Sequence, residues 1–128
     1  SSDLYFSSAT PNNYSLFADV NNNGIRDTTE DVQVFTINRG YTISKFCATT
    51  NGNVSQCTDS GSPITQLTIL FRRPNPDSCF ATSLSTGACA IGAAAVYKSA
   101  YVQIKSGQDT RSVTVTLTGQ ISVGAKGT

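Results

Sequence analysis

One twelve-residue stretch, Asp19 to Glu30, sets oxygen donors at the intervals a hard cation requires. It reads Asp-Val-Asn-Asn-Asn-Gly-Ile-Arg-Asp-Thr-Thr-Glu, with Asp19, Asn21 and Asn23 at positions 1, 3 and 5. Ile25 offers its carbonyl at position 7, and Asp27 and Glu30 stand at positions 9 and 12. Gly24, at position 6, permits the sharp reversal that wraps such a loop around its ion. Calcium gathers roughly six to eight oxygens at about 2.3–2.6 Å, which is the donor set on offer. The ion would be structural, since the pattern leaves no coordination position open for a substrate.

The stretch departs from a helix–loop–helix calcium site. An EF-hand carries its apolar residue at position 8, whereas here Ile25 sits at position 7 and Arg26 follows it. The flanks, Tyr14–Ala18 and Val32–Ile37, are rich in aromatic and β-branched residues and read as strands. The loop therefore joins two strands. A second reading stays open: Asn23-Gly24 is the commonest two-residue hairpin signal, with solvated acids around it.

Four cysteines, Cys47, Cys57, Cys79 and Cys89, fall into two pairs with nine residues inside each. Neither pair has zinc-knuckle or redox spacing, and the chain has no histidine to complete a metal site. An even count in a short chain rich in Ser and Thr points to disulfides and an oxidising compartment. Three connectivities satisfy the sequence. The local one, Cys47–Cys57 with Cys79–Cys89, is favoured because each pair brackets a loop-like segment, 48–53 and 82–87. Closing a loop of about ten residues contributes roughly 2–3 kcal/mol through the unfolded state.

A catalytic role is not expected. Without histidine, proton transfer would fall to a carboxylate, a tyrosine or a lysine, and no pair of acids sits in an apolar setting that would tune one of them. No serine follows a nucleophile-elbow pattern, and no glycine loop is built to cradle phosphate. The densest basic cluster is Arg72-Arg73-Pro74-Asn75-Pro76-Asp77. Arg72 and Arg73 would grip a carboxylate, a phosphate or a neighbouring subunit, or else stand solvated at a strand end with Asp77 capping the turn.

Charge is unevenly spread along the chain. Residues 1–31 hold five acids and one base, net −4, while the rest holds eight bases against three acids, net +5. Such a dipole suits head-to-tail association or a cation at one end, though scattered bases also fit a plain solvated surface. With charged residues at only 13%, the 128 residues read as one secreted β-rich domain spanning 1–128. No apolar run reaches the ~18 residues of a membrane span.

Alternation dominates the elements that must position these groups. Val113, Val115, Leu117, Ile121 and Val123 alternate with Ser112, Thr114, Thr116, Thr118 and Ser122, giving one long strand or a hairpin broken at Gly119. Further strands are expected at Leu4–Phe6, Tyr14–Ala18, Val32–Ile37, Tyr41–Phe46, Leu67–Phe71 and Tyr97–Lys105, and a short helical turn competes with Gly92 over 90–96. The fold class is mainly β, an antiparallel sheet or a pair of sheets. A sheet must cover its second face, so either the sheets close on each other or something else packs there.

The order of these motifs resembles a known family. Tyr14-Ser15-Leu16-Phe17-Ala18-Asp19, the Asn-Asn-Gly acidic loop, Asp27-Thr28-Thr29-Glu30 and a Val-rich strand come first. Phe71-Arg72-Arg73-Pro74-Asn75-Pro76-Asp77 and the last strand, with Thr118-Gly119-Gln120-Ile121, come later. The succession, over 4–37, 67–77 and 112–123, resembles the globular domain of GspH/FimT-type type IV minor pilins and type II secretion pseudopilins. The resemblance implies a pilin-like headgroup lacking its N-terminal helix, which would be trimmed or supplied by a separate short chain. It implies a subunit of an extracellular or periplasmic filament, with other pilin subunits as partners and membrane contact only through that helix. Some FimT-like members bind DNA through basic residues of the last strand and tail. Here only Arg111 and Lys126 lie nearby, so DNA or surface-ligand binding in uptake or adhesion ranks second. A calcium-stapled adhesin repeat ranks third, since the acidic loop occurs once.

Overall fold

The computed structural model describes residues 3–19, 25–37, 40–71, 78–90 and 92–124. Among them ten strands form: β1 (Asp3–Ser7), β2 (Asn13–Phe17), β3 (Asp31–Thr36), β4 (Thr42–Thr50), β5 (Ser55–Cys57), β6 (Gln66–Phe71), β7 (Ser78–Thr82), β8 (Tyr97–Ser106), β9 (Asp109–Thr116) and β10 (Ile121–Gly124). They make two antiparallel five-stranded sheets, ordered β3-β2-β1-β6-β7 and β10-β9-β8-β4-β5. The one helical piece among the described residues is a 3-10 turn at Thr28–Glu30.

Local chemistry sets the hairpins. β8 and β9 turn through Gly107-Gln108, with Gly107 at φ 58°, where a glycine at the first turn position matches the twist of the strands. The alternating C-terminal stretch is a hairpin, not one strand. The Gly119 N–H donates to Thr116 O at 2.9 Å with Gly119 at φ 82°, and Ile121 then pairs back with Val115. Asn53, at φ 67°, serves the β4–β5 turn in the same way.

The register fixes which faces meet. Leu4, Phe6, Leu67, Ile69 and Phe80 share one face of the first sheet; Ile43, Phe46, Ala48, Ala100 and Val115 share one face of the second. All but the half-buried Leu4 are buried in one continuous core. The Phe6 ring lies 6.4 Å from Phe46 across the gap, and Phe6, Tyr14 and Phe35 stack at 5.6 and 5.3 Å along the first sheet. Of the two ways to cover a sheet, the inner faces take the simpler one and close on each other.

The far face of the first sheet is also largely dry. Phe17 is 0% exposed, Asp3 1%, and Leu70, Cys79 and Ala81 are buried too. The chain's own connections lie there: Arg26 stacks over Tyr5 at 4.5 Å, and Cys79 ties down the strap between β7 and β8 through Cys89. Both disulfides follow the local pairing. Cys47 and Cys57 face each other directly across β4 and β5, with Cα atoms 4.1 Å apart.

Two strands lacked an alternating signal. All five residues of β7, Ser-Cys-Phe-Ala-Thr, are buried, so no polar face marks it in the sequence. β5 has only three residues and is held by its disulfide, while β4 runs to Thr50, through residues expected to be loop. Residues 87–89 lie in turns, with Ala90 N–H donating to Gly87 O and Ala93 N–H to Ala90 O, and the described residues of 90–96 form no helix.

A buried hydroxyl chain joins the sheets. The Tyr97 O–H donates to Gln56 Oε1 at 2.6 Å, which commits its proton, so the Thr82 hydroxyl donates to the Tyr97 oxygen at 2.7 Å. Thr82 Oγ1 in turn accepts the Leu84 N–H. Tyr97→Phe removes two of these bonds and strands polar atoms in the core, and should cost about 1–3 kcal/mol. Chemical denaturation checks this; an unchanged midpoint would mean that the chain contributes nothing.

Candidate functional site

The acidic connection between β2 and β3 is fastened at three points. Arg26 Nε donates to Asp31 Oδ1 at 2.9 Å and its second nitrogen reaches Oδ2 at 2.5 Å, a bidentate pair with both side chains four-fifths buried. The Asp31 hydrogen bond holds Arg26 further into its charged form. The same guanidinium lies on the Tyr5 ring, so one side chain pins the connection both to β3 and to β1.

Asp27-Thr28-Thr29-Glu30 closes as a capping box. Asp27 Oδ1 accepts the Thr29 N–H at 3.2 Å, and Glu30 Oε1 accepts the Asp27 N–H at 3.1 Å. The Glu30 N–H returns to Asp27 O at 2.9 Å. Two of the expected calcium ligands thus each give one oxygen to a backbone N–H.

Asp19 meets a group that the sequence did not nominate. Asp3, at the start of β1, accepts the Phe71 N–H at 3.1 Å, and the Asp19 backbone N–H also points to it. Burial raises the Asp3 pKa; the two N–H groups pull it down, and the Asp19 carboxylate pushes it up again. Asp19 Oδ1 is itself buried. A pair of carboxylates is thus drawn together beneath the connection, from residues sixteen apart that only the β1–β2 register makes neighbours.

The other expected ligands are placed differently. Ile25 is exposed at the rim, while Asn21 and Asn23 lie outside the described residues. Among the described residues no group of three or more acids, cysteines or histidines is arranged to hold a metal ion. The oxygen chemistry of Asp19, Asp27 and Glu30 suits calcium, and the Ile25 carbonyl would join them. Of the basic residues, Arg111 is exposed on β9 and pairs with Asp109 at 3.3 Å, and Tyr41 donates to the same carboxylate. Arg72, Arg73 and Lys126 lie outside the described residues.

A groove of about 310 Å³ opens beside Arg26 on the far face of the first sheet, floored by Tyr5, Thr68 and Ala81 and walled by Ile25 and Thr86. Its lining is mixed, and among the described residues no charged side chain other than the paired Arg26 reaches it.

No family model, no curated protein and no solved structure matches this chain.

The Asp3 environment sets a pH dependence. A carboxyl raised above its ordinary 3.8 favours the folded state while protonated, and that contribution is lost as pH rises through the raised value. In chelator, wild type should therefore lose stability relative to Asp3→Asn as pH rises from 3.8 through that interval. Denaturation midpoints of the two proteins across acid pH check this. A difference that stays flat, or moves the other way, would refute the assignment.

Proposed function

We propose that this chain is a structural subunit of an extracellular or periplasmic filament, the headgroup of a type IV pilus-like or type II secretion assembly. The motif order that resembles GspH/FimT-type domains supports the reading, and so does a disulfide-locked sandwich suited to an oxidising compartment. The observation that carries it is a surface built to be covered. On a fold whose core is otherwise closed, Val32 is 65% and Val34 52% exposed on β3, and Ile121 is 58% and Val123 73% exposed on β10. Single exposed apolar residues are ordinary, but valines and isoleucine ranked along two strands mark contact surfaces.

In this reading calcium stiffens the acidic connection and has no part in chemistry. Asp19, Asp27 and Glu30, with the Ile25 carbonyl and the Asn21 and Asn23 amides, would hold it. The Arg26–Asp31 clasp and the capping box bring the end of the loop close to its final form before any ion arrives, which lowers the cost of ordering it.

Two measurements test this. Antibody raised against the chain should label sheared surface filaments or a periplasmic pseudopilus fraction of its native cells, and label confined to freely soluble protein would overturn the subunit reading. Thermal unfolding tests the ion separately. At free calcium of about 100 times its Kd, wild type should gain roughly 2.7 kcal/mol over protein in chelator, and Asp19→Ala should gain none. An equal response from both proteins, or from neither, would remove calcium from the account.

A further inference from the structure

A two-sheet sandwich has four edge strands, and here they are treated unequally. β5 is only three residues long and is stapled to β4 by Cys47–Cys57. β7 is buried along its whole length; its Ser78 N–H donates to Leu117 O, and the Cys79–Cys89 strap bridges back to Thr82 through Ser85. Among the described residues β3 pairs only with β2, and β10 only with β9. Neither of these two open edges carries a lysine or a proline, although β3 begins at the charged Asp31 beside a register shift in its pairing with β2 and β10 has only four residues. Both carry exposed apolar side chains instead.

The open edges lie on opposite sides of the molecule. β7 packs against β8 and β6 against β4, so β9 and β10 overhang beyond β7, while β2 and β3 extend the other way. In the overhang the inner face of the second sheet runs out past its cover. Val113 and Val123 pair across β9 and β10 on the same face as the buried Val115, yet both are exposed.

Charge separates in the same sense. The connection leading into β3 carries Asp19, Asp27, Glu30 and Asp31 against Arg26. Strands β8 to β10 carry Lys98, Lys105 and Arg111 against Asp109. The β3 edge is thus apolar with an acidic flank, while β10 is apolar and uncharged with net positive charge behind it on β8 and β9.

We infer that β10 of one copy of this chain adds to β3 of the next, a head-to-tail strand pairing that runs a sheet from molecule to molecule. A second copy is the occupant because the two edges complement each other in charge, backbone and apolar content. Like edges would set acid against acid or base against base. The contact uses different surfaces on the two partners and therefore repeats without closing, as a fibre requires. It rests on the filament reading above and specifies which surfaces that filament uses.

Blocked variants test the pairing. Val32→Lys/Val34→Lys blocks β3, and Ile121→Lys/Val123→Lys blocks β10; all four positions are exposed, so both proteins should melt like wild type. By sedimentation at low salt up to about 1 mM, a concentration that registers even weak association, wild type should form a concentration-dependent ladder. Each blocked variant alone should stay monomeric. An equimolar mixture of the two should stop at a dimer, since each supplies the edge the other lacks, and added salt should weaken that dimer. Dimers of either variant alone would replace this pairing with a like-to-like contact. Wild type that stays monomeric throughout would overturn it outright. Neither result touches the filament reading, which filament labelling decides independently.

Discussion

Two sheets that bury their inner faces against each other leave the rest of the molecule to be settled at the edges. The core here is ordinary for its kind: aromatic and branched side chains alternate inward, with Phe6 against Phe46 at the centre. Hydrogen bonding within a sheet is satisfied everywhere except along the outermost strands. What distinguishes this chain is how it spends its covalent and polar fastenings. One disulfide lies directly across the short edge β5, and the other secures the strap beside β7. β3 and β10 carry no disulfide.

The acidic connection belongs to the same economy. It crosses from β2 to β3, where a loose loop would leave the first sheet's far face wet. Arg26 fastens it twice, to Asp31 and to Tyr5, and the capping box shapes its end. Beneath it Asp3 gives up solvent, and two backbone N–H groups offset part of that loss. The resulting surface presents negative charge beside an apolar strand. On the second sheet, β8 and β9 carry a net positive charge behind the apolar β10.

Much of this was legible in the residues, for physical reasons that differ by element. The period-2 pattern located β8, β9 and β10 because apolar and polar residues alternate along them, even though all four residues of β10 are exposed, and Gly119 marked the turn between two of them. β7 escaped notice because both of its faces are dry, and β5 because three residues carry no period. The local disulfides followed from cysteine spacing, and Asp27-Thr28-Thr29-Glu30 reads as a capping box once a turn is known to start there. Asp3 could not be found in this way. Its importance comes from the β1–β2 and β1–β6 pairings, which bring Asp19 and Phe71 to it from distant parts of the chain. The open edges were hidden likewise, since a strand's neighbours are set by topology.

Amide hydrogen exchange, compared between dispersed and concentrated protein, tests the central claim most directly. If molecules join β10 to β3, protection should rise on concentration along 31–36 and 121–124 and stay unchanged in β5 and β7. Protection that rises nowhere, or that gathers on the β5 and β7 edges instead, would contradict it.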